Sequence, residues 1–235
     1  MSQANRGPVP IDTSRVQRVV QRVKFGAVGG PPWSGRPVYV LGGGPSLAGY
    51  DLSNLRSLGL VLGVNRAADL VPVDATFTLD LHFMKQYAAQ LEGWAKAGQE
   101  VYIAAPSDYP RDPIPGVTYL LRKPGEGCSR DPRVIVNGLN SGYGAVQLAI
   151  LKGATTVYLL GFDMVDPAGG PKHWHDGYPW QAARGSVSVY RDWSRRFDDL
   201  ARELPRGVEV LNANPESGIR AFPFTTYEAI GMALR

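Results

Sequence analysis

Short apolar runs alternate with amphipathic stretches along most of this chain. Runs of β-branched and other apolar residues predict strands at 38–41, 60–64, 75–79, 100–104, 117–121, 156–160 and 208–211. Apolar positions at helical spacing predict helices at 82–97, 142–152, 187–204 and 225–234. Near-continuous apolar strands that alternate with helices are typical of a parallel sheet covered on both faces. The pattern therefore predicts an α/β protein with a Rossmann-like, mostly parallel sheet.

The N-terminal part of the chain shows a different pattern. Valines at 16, 19, 20 and 23 predict a helix over residues 13–24, with a basic opposite face and Thr13 or Ser14 as its cap. A segment rich in glycine and proline follows, from Gly26 to Pro37. We expect residues 1–36 to form a helical arm and linker, and residues 37–235 to form one domain. Segments 105–116, 122–140 and 163–186 are predicted loops, and the length of the last favours a functional role.

The first predicted strand runs directly into a glycine-rich turn, which is the most informative stretch of the chain. The turn consists of Gly42, Gly43, Gly44, Pro45 and Ser46. A strand followed by such a turn can bring backbone amides close to a phosphate. The spacing matches neither G-x-G-x-x-G nor the Walker pattern. A phosphate-binding turn and a plain tight turn after a buried strand both fit this segment.

Polar residues follow other predicted strands as well. Because ligands of open parallel sheets bind beyond the carboxyl ends of the strands, these residues are candidates for one shared site. They are Asn65, Asp80, Asp163, Asn212, Asn214 and Ser217. A further turn places Asn140, Ser141 and Gly142 at the start of helix 142–152, where Asn140 or Ser141 caps the helix and its N-terminus suits an anion. Each position alone is also explained by turn chemistry.

A histidine pair lies in the predicted loop 163–186. His173 and His175, of the 3 histidines in the chain, flank Trp174 and precede Asp176. Histidine near a carboxylate suits a general base or a metal ligand. A metal would need further ligands, for which Asp80, His82, Asp163 and Asp166 are candidates. The alternative is a polar loop that is anchored by its aromatic residues.

Composition narrows the class of protein. The chain has 235 residues, 44% of them hydrophobic, and a mean hydropathy of −0.16, which is typical of a soluble globular protein. No apolar run is long enough to span a membrane, and no export signal is evident, so we expect a cytoplasmic protein. The single cysteine, Cys128, excludes an internal disulfide. A net charge of +4 permits an anionic ligand without indicating nucleic acid.

The order of these motifs resembles glycosyltransferase family 42, the bacterial sialyltransferases that use CMP-sialic acid. The resemblance rests on G-x-G-P-S-L followed by Asp51, an Asn after the second strand, an S-G turn that opens a helix, and an aliphatic strand that ends in G-F-D. The same order is similar to a related superfamily that includes archaeal-type 6-hydroxymethyl-dihydropterin pyrophosphokinases and flagellin-modifying proteins. The resemblance covers about residues 38–220 of this chain.

This resemblance implies roles for individual residues. Gly42, Gly44, Pro45 and Ser46 would hold donor phosphate, and Asn65 would contact the nucleotide. Ser141 and Gly142 would lie near the donor, while Asn212, Asn214, Pro215 and Ser217 would hold the nucleoside. The catalytic base would be His173 or His175. The chain departs from the family in three places: Gly43 replaces an Asn, the family's Arg before the S-G turn is missing, and Asp80 replaces a neutral residue.

The leading interpretation is a sialyltransferase-like glycosyltransferase with a nucleotide-sugar donor and a loop histidine as base. The alternative is Mg²⁺-dependent diphosphate transfer from ATP, in which Asp80 and Asp163 hold the metal. The third departure from the family, Asp80 in place of a neutral residue, favours this alternative. A third interpretation is a nucleotide-binding module that lacks catalysis. The acceptor stays open among a glycan, a metabolite and a modified nucleobase, and a homo-oligomer is compatible with the chain.

Overall fold

A computed structural model describes residues 23–30, 32–109, 112–165, 172–175, 177–178 and 189–232. In these residues the strands are β1 (Val38–Leu41), β2 (Leu60–Val64), β3 (Ala75–Thr78), β4 (Glu100–Ala105), β5 (Thr118–Lys123), β6 (Val134–Val136), β7 (Thr156–Leu160) and β8 (Glu209–Asn212). The helices are α1 (Leu55–Leu58), α2 (Leu81–Gln86), α3 (Ala88–Lys96), α4 (Ser141–Leu151) and α5 (Tyr190–Arg202). Short 3₁₀ helices cover Pro45–Gly49 and Asn65–Asp69.

The described strands form one eight-stranded sheet in the order β6-β5-β4-β3-β2-β1-β7-β8, and every pair is parallel. From β1 the chain adds strands outward to β6, then returns through α4 to place β7 on the other side of β1. The strand order therefore reverses between β1 and β7. Loops that leave two such strands diverge and open a crevice at their carboxyl ends. The predicted Rossmann-like α/β fold is confirmed.

Successive apolar side chains along a strand pack alternately into hydrophobic cores on the two faces of the sheet. Val38 and Val40 of β1 pack with α4 and α5 in one cluster, whereas Tyr39 and Leu41 pack in another with residues around α1. Both sets are at most 4% exposed. Successive side chains of a strand point to opposite faces, so a strand buried on both sides reads as a continuous apolar run. This is why the strands could be predicted from the sequence.

Several predicted elements differ from the structure. Strand β6 lies within the predicted loop 122–140, because three residues at a sheet edge carry little pattern. The predicted helix 82–97 divides into α2 and α3 at Tyr87, whose backbone leaves the helical region. The predicted helix at 225–234 is wrong for residues 225–232, which are not helical and form turns at 227–231: Tyr227 is held by distant partners and Gly231 has a φ of 90°.

The segment before β1 packs against the sheet where it is described. Trp33 is 3% exposed and belongs to the core cluster under α4. The buried ammonium of Lys152 donates to the carbonyl of Gly29 at 2.7 Å and to Glu100 at 2.6 Å. Phe25 forms an isolated bridge with Tyr119. The predicted helix over 13–24 lies outside the described residues except for its last two, which are not helical.

In the part of the chain that the structure describes, every helix is too short or too polar to cross a bilayer.

Candidate functional site

A cavity of about 420 Å³ opens at the carboxyl ends of β1, β2, β3 and β7, where the strand order reverses. Its wall contains many of the residues that sequence analysis selects: Gly42, Gly43, Gly44, Pro45, Asn65, Asp80, Asn140, Ser141, Gly142, Asp163 and His173. Six selected residues lie outside this wall: Ser46, His175, Asn212, Asn214, Pro215 and Ser217. Asp166 lies outside the described residues. The sheet thus gathers residues that are up to 131 positions apart in the chain, from Gly42 to His173.

The glycine turn after β1 packs directly against the end of β7. The amides of Gly42 and Gly44 donate to the carbonyls of Leu160 and Gly161 at 2.7 and 2.8 Å. A Cβ on Gly42 would lie 2.5 Å from the Gly161 carbonyl, and one on Gly44 would overlap the Asp163 carboxylate. Glycine is therefore required here by the packing of two strand ends, whether or not a ligand is bound. The sequence fitted both a phosphate-binding turn and a plain tight turn. The packing against β7 is compatible with either of them.

Asp163 is the best-connected acid of the cavity wall. Ser46 Oγ donates to its Oδ2 at 3.0 Å, and Asn214 Nδ2 donates to its Oδ1 at 2.9 Å. Burial raises the pKa of the Asp163 carboxyl, and the hydrogen bonds from Ser46 and Asn214 oppose that shift. Ser46 and Asn214 therefore lie behind the wall and orient a residue that is part of it.

Tyr227 completes this network and was not selected from the sequence, where it lay in a predicted helix. Its hydroxyl accepts from the Gly161 amide at 2.8 Å and lies 3.1 Å from Ser46 Oγ. Because Ser46 has one proton and donates it to Asp163, the Tyr227 hydroxyl donates to Ser46. Burial raises the pKa of Tyr227 to about 12, so the hydroxyl keeps the proton that this bond needs.

The other polar residues after β8 hold a loop rather than line the cavity. Asn212 is buried, donates to the Ile219 carbonyl at 3.4 Å and accepts from the Asn214 amide at 3.2 Å. Ser217 is also buried, and its hydroxyl donates to the Phe162 carbonyl. These contacts place Asn212 and Ser217 behind the end of β7, one layer away from the cavity.

The N-terminus of α4 forms another wall. Asn140 Oδ1 accepts from the Tyr143 amide at 2.8 Å, so Asn140 is the cap of this helix. Ser141 Oγ instead accepts from the Leu79 amide at 3.1 Å and ties α4 to the end of β3. A Cβ on Gly142 would lie 2.6 Å from the Phe162 ring. The positive end of the helix dipole thus points at the cavity.

Asp80 lines the cavity and is also the N-terminal cap of α2. Its Oδ1 caps α2 by accepting from the amides of His82 at 2.8 Å and Phe83 at 3.2 Å. Arg122, inside a predicted loop and not selected from the sequence, also lines the cavity and donates to the Leu79 carbonyl at 2.8 Å. Burial lowers the pKa of Arg122, and the charge of Asp80 opposes that shift.

The described residues do not fit a dedicated metal centre. Nowhere in residues 23–232, leaving aside the gaps named above, do three or more His, Cys, Asp or Glu side chains cluster as ligands. Both carboxylate oxygens of Asp163 accept hydrogen bonds from Ser46 and Asn214, and one oxygen of Asp80 caps α2. Asp80 and Asp163 thus both make protein contacts on the cavity wall, and their carboxylates keep further acceptor capacity.

The two loop histidines occupy different surroundings. The Trp174 amide donates to the Gly43 carbonyl at 3.2 Å, so this loop lies over the glycine turn. His173 lines the cavity, and its ring stacks on His175 at 5.0 Å between centroids. His175 Nδ1 accepts from the Gly177 amide at 2.9 Å. Burial lowers the pKa of His175 to about 4, with smaller effects from His173 and Arg66, so His175 is neutral at pH 7.

Backbone strain is concentrated at this cavity. Among the described residues, the non-glycine residues with positive φ are Asn65 at 54°, Leu139 at 68° and Met164 at 47°, and all of them line the cavity. Such conformations cost free energy and cluster at functional sites. Asn65 Oδ1 is also buried without a hydrogen-bond partner within the described structure. Strain and an unpaired acceptor both favour the cavity as the functional site.

Comparison with known proteins gives the fold but no family. No family model matches the chain, and no curated protein matches it. Among solved structures, the MAf glycosyltransferase from Magnetospirillum magneticum AMB-1 is similar, with a TM-score of 0.54 and 15% sequence identity. The match covers 89% of this chain and 37% of the other, so the chain spans well under half the length of that enzyme. At this identity the likeness is one of fold.

Proposed function

We propose that the protein is a glycosyltransferase that binds a nucleotide-sugar donor in the cavity at the β1–β7 crevice. The observation that carries the proposal is this cavity at the reversal of strand order, which joins a glycine turn, a helix N-terminus and His173. Nucleotides bind at this point of open α/β sheets. The fold likeness to a glycosyltransferase agrees with this assignment.

Charge and shape support a donor with a phosphate group. Lys172 and Arg122 bring cationic side chains to the wall, and α4 points its positive end there. Tyr190 and Trp193, the aromatic residues at the start of α5, supply flat surfaces for a base or sugar ring. By the resemblance to family 42, CMP-sialic acid is the first donor to test.

In the proposed mechanism His173 removes the proton from the acceptor hydroxyl. The acceptor oxygen then attacks the anomeric carbon of the donor sugar, and the bond between that carbon and the nucleotide phosphate breaks. The N-terminus of α4 stabilises the charge of the leaving phosphate. The glycine turn leaves space for this phosphate, while the amides of Gly42 and Gly44 hold the turn against the end of β7. Asp163, oriented by Ser46 and Asn214, accepts hydrogen bonds from donor hydroxyls. Metal-assisted diphosphate transfer is the alternative that the next experiment tests, because Mg²⁺ binds through one or two carboxylates and phosphate oxygens, and Asp80 and Asp163 line the cavity.

A thermal-shift screen with CMP, UDP, ATP and GTP, each with and without Mg²⁺, tests the proposal. A ligand at one hundred times its dissociation constant stabilises a protein by about 2.7 kcal/mol, which such a screen detects. Stabilisation by CMP or UDP without metal is expected. A requirement for ATP together with Mg²⁺ would favour diphosphate transfer instead, and no response to any nucleotide would contradict both.

A matched pair of variants locates the binding. Lys172→Met removes a cation from the cavity wall, whereas Lys85→Met removes one that lies over Tyr109, outside the cavity. A charge-assisted hydrogen bond contributes about 1.5–3 kcal/mol, so Lys172→Met should weaken nucleotide binding by roughly tenfold or more. Lys85→Met should leave it unchanged. Equal affinities for the two variants would place the nucleotide elsewhere.

A further inference from the structure

A second cavity of about 430 Å³ adjoins the first. Met164, Val165 and Tyr190 line both cavities and form the wall that they share. The rest of the second cavity is lined by Arg191, Ser194, Arg195, Asp198, Gly218 and Arg220. A molecule in the second cavity therefore lies beside the proposed donor site.

The helix α5 directs one polar face into this second cavity. Its cavity residues at 191, 194, 195 and 198 follow the spacing of three and four that defines a single helix face. Phe197 and Leu200 are fully buried on the core side. The amphipathic pattern of α5 thus explains both how the helix packs and why several charged groups meet at one place.

The positive charge of the second cavity is largely unneutralised. Within the described residues Arg191 and Arg195 make no ion pair or hydrogen bond, while Arg196 and Arg202 of the same helix pair with Glu126 and Asp199. Arg220 donates to the Pro215 carbonyl at 3.1 Å and stacks over Phe224. Three guanidinium groups face one carboxylate, Asp198.

A buried hydroxyl at the same place lacks a partner. Ser194 lines the second cavity, and its Oγ is buried with no hydrogen-bond partner in the described structure. A Cβ on Gly218 would lie 2.2 Å from the Met164 carbonyl oxygen and 3.3 Å from Ser194 Oγ, so glycine is required where this backbone packs beside the hydroxyl. A buried polar group without a partner is costly, and a ligand that reaches it removes that cost.

We propose that this second cavity binds the acceptor, and that the acceptor carries a carboxylate or phosphate group. This inference rests on the proposed glycosyl transfer and assigns its acceptor class. Guanidinium groups bind both anions in a two-pronged geometry, and Ser194 supplies a further hydrogen bond. An acceptor anchored there presents its hydroxyl to the donor cavity across the shared wall of Met164, Val165 and Tyr190.

Direct binding of sugar probes to the full chain tests the acceptor site without a donor. The probes are methyl β-D-glucuronide for the carboxylate, glucose 6-phosphate for the phosphate, and methyl β-D-glucoside as the neutral match. We expect at least one charged probe to bind roughly tenfold or more tightly than the neutral one, from the contribution of charged hydrogen bonds. The comparison of the two charged probes identifies which anion the site prefers.

Two double variants on the same helix provide the control. The change Arg191→Gln with Arg195→Gln should weaken binding of the preferred charged probe by roughly tenfold or more. The change Arg196→Gln with Arg202→Gln removes the same charge outside the cavity and should leave binding unchanged. Equal binding of charged and neutral probes, no binding of either charged probe, or equal effects of the two double variants would overturn the acceptor site.

Nucleotide titration of the same proteins separates this inference from the proposed function. Arg191→Gln with Arg195→Gln should leave nucleotide binding intact, because neither residue lines the first cavity. Nucleotide binding without selective binding of a charged sugar would contradict the acceptor site alone. Selective binding of a charged sugar by a protein that binds no nucleotide would contradict the donor site and leave the anion site standing.

Discussion

At the scale of single residues, two histidines that are neighbours in sequence have different environments. His173 lines the first cavity, whereas His175 is tied to the Gly177 amide and has a lowered pKa. The sequence offered both as the catalytic base. Only the placement of the loop over the glycine turn separates them, because one ring faces the cavity and the other packs behind it.

The first prediction concerns catalysis. His173→Ala should lower turnover by roughly 10²–10⁴-fold, the usual contribution of a general base, and leave donor affinity nearly unchanged. His175→Ala is the control, and it should change turnover far less. Steady-state kinetics with the donor found by the nucleotide screen, together with nucleotide titration, measure both effects. Unchanged turnover in His173→Ala would remove the proposed base.

The second prediction concerns pH. The pKa of His175 is about 4 in the folded protein, below the ordinary 6.5, so the unfolded chain binds more protons between these values. The contribution of His175 to the free energy of unfolding is therefore present above pH 6.5 and is lost as the pH falls towards 4. Denaturant unfolding at several pH values should show this loss in the wild type.

The matching control for this pH dependence is the variant His175→Gln, which has no titratable group at this position. His175→Gln should flatten the curve between pH 6.5 and 4. A difference curve between wild type and His175→Gln that is independent of pH would show that His175 is not buried in this way.

At the scale of elements, several residues that line the cavity also cap a helix or form a turn. Asp80 begins α2, Asn140 begins α4, and the glycines at 42 and 44 allow β1 to meet the end of β7. A residue type that suits a ligand is here also the type that the local backbone needs. For this reason, residue type alone could not distinguish ligand contacts from turn chemistry.

The third prediction separates these roles for Asp80. Asp80→Ala should lower the free energy of unfolding by about 0.5–2 kcal/mol, because the amides of His82 and Phe83 lose their cap. Asp80→Asn should retain most of that stability, because asparagine caps helices comparably. Chemical denaturation measures both. If Asp80→Asn is stable but abolishes a Mg²⁺-dependent activity, Asp80 is a metal ligand and the diphosphate-transfer interpretation is favoured.

At the scale of the whole molecule, the segment after β8 returns to the first turn of the sheet. Tyr227 bonds the Gly161 amide and Ser46, residues 66 and 181 positions away. Its ring stacks on Tyr50 with 4.0 Å between centroids. The stability of the cavity wall therefore depends on a residue far along the chain from the glycine turn, which no local pattern predicts.

The fourth prediction tests this long-range link. Tyr227→Phe should cost about 1–3 kcal/mol, because the buried amide of Gly161 loses its acceptor, and it should also weaken nucleotide binding since Ser46 and Asp163 lose their orientation. Tyr50→Phe is the control, because it removes only an exposed bond to Glu228. Thermal unfolding and nucleotide titration measure the two effects. Equal behaviour of the two variants would contradict the link.

The sequence by itself determined the strands β1–β5, β7 and β8, the parallel α/β class, the glycine turn and a helix cap at Asn140 or Ser141, of which the structure selects Asn140. These features depend on contacts within a few residues or on burial of a whole strand, and both leave a pattern in the chain. The expectation that polar residues at strand ends share one site also came from the sequence, and three of those six residues, Asn65, Asp80 and Asp163, line the cavity.

Only the tertiary structure decided which of these residues face the cavity and which support it. Asn212, Ser217 and His175 lie behind the wall, while Arg122, Tyr190 and Trp193 reach it without a sequence signal. Strand β6 and the turns at 227–231 depend likewise on distant partners. The physical reason is that side-chain direction at the end of a strand is set by packing between segments far apart in the chain, which periodicity does not encode.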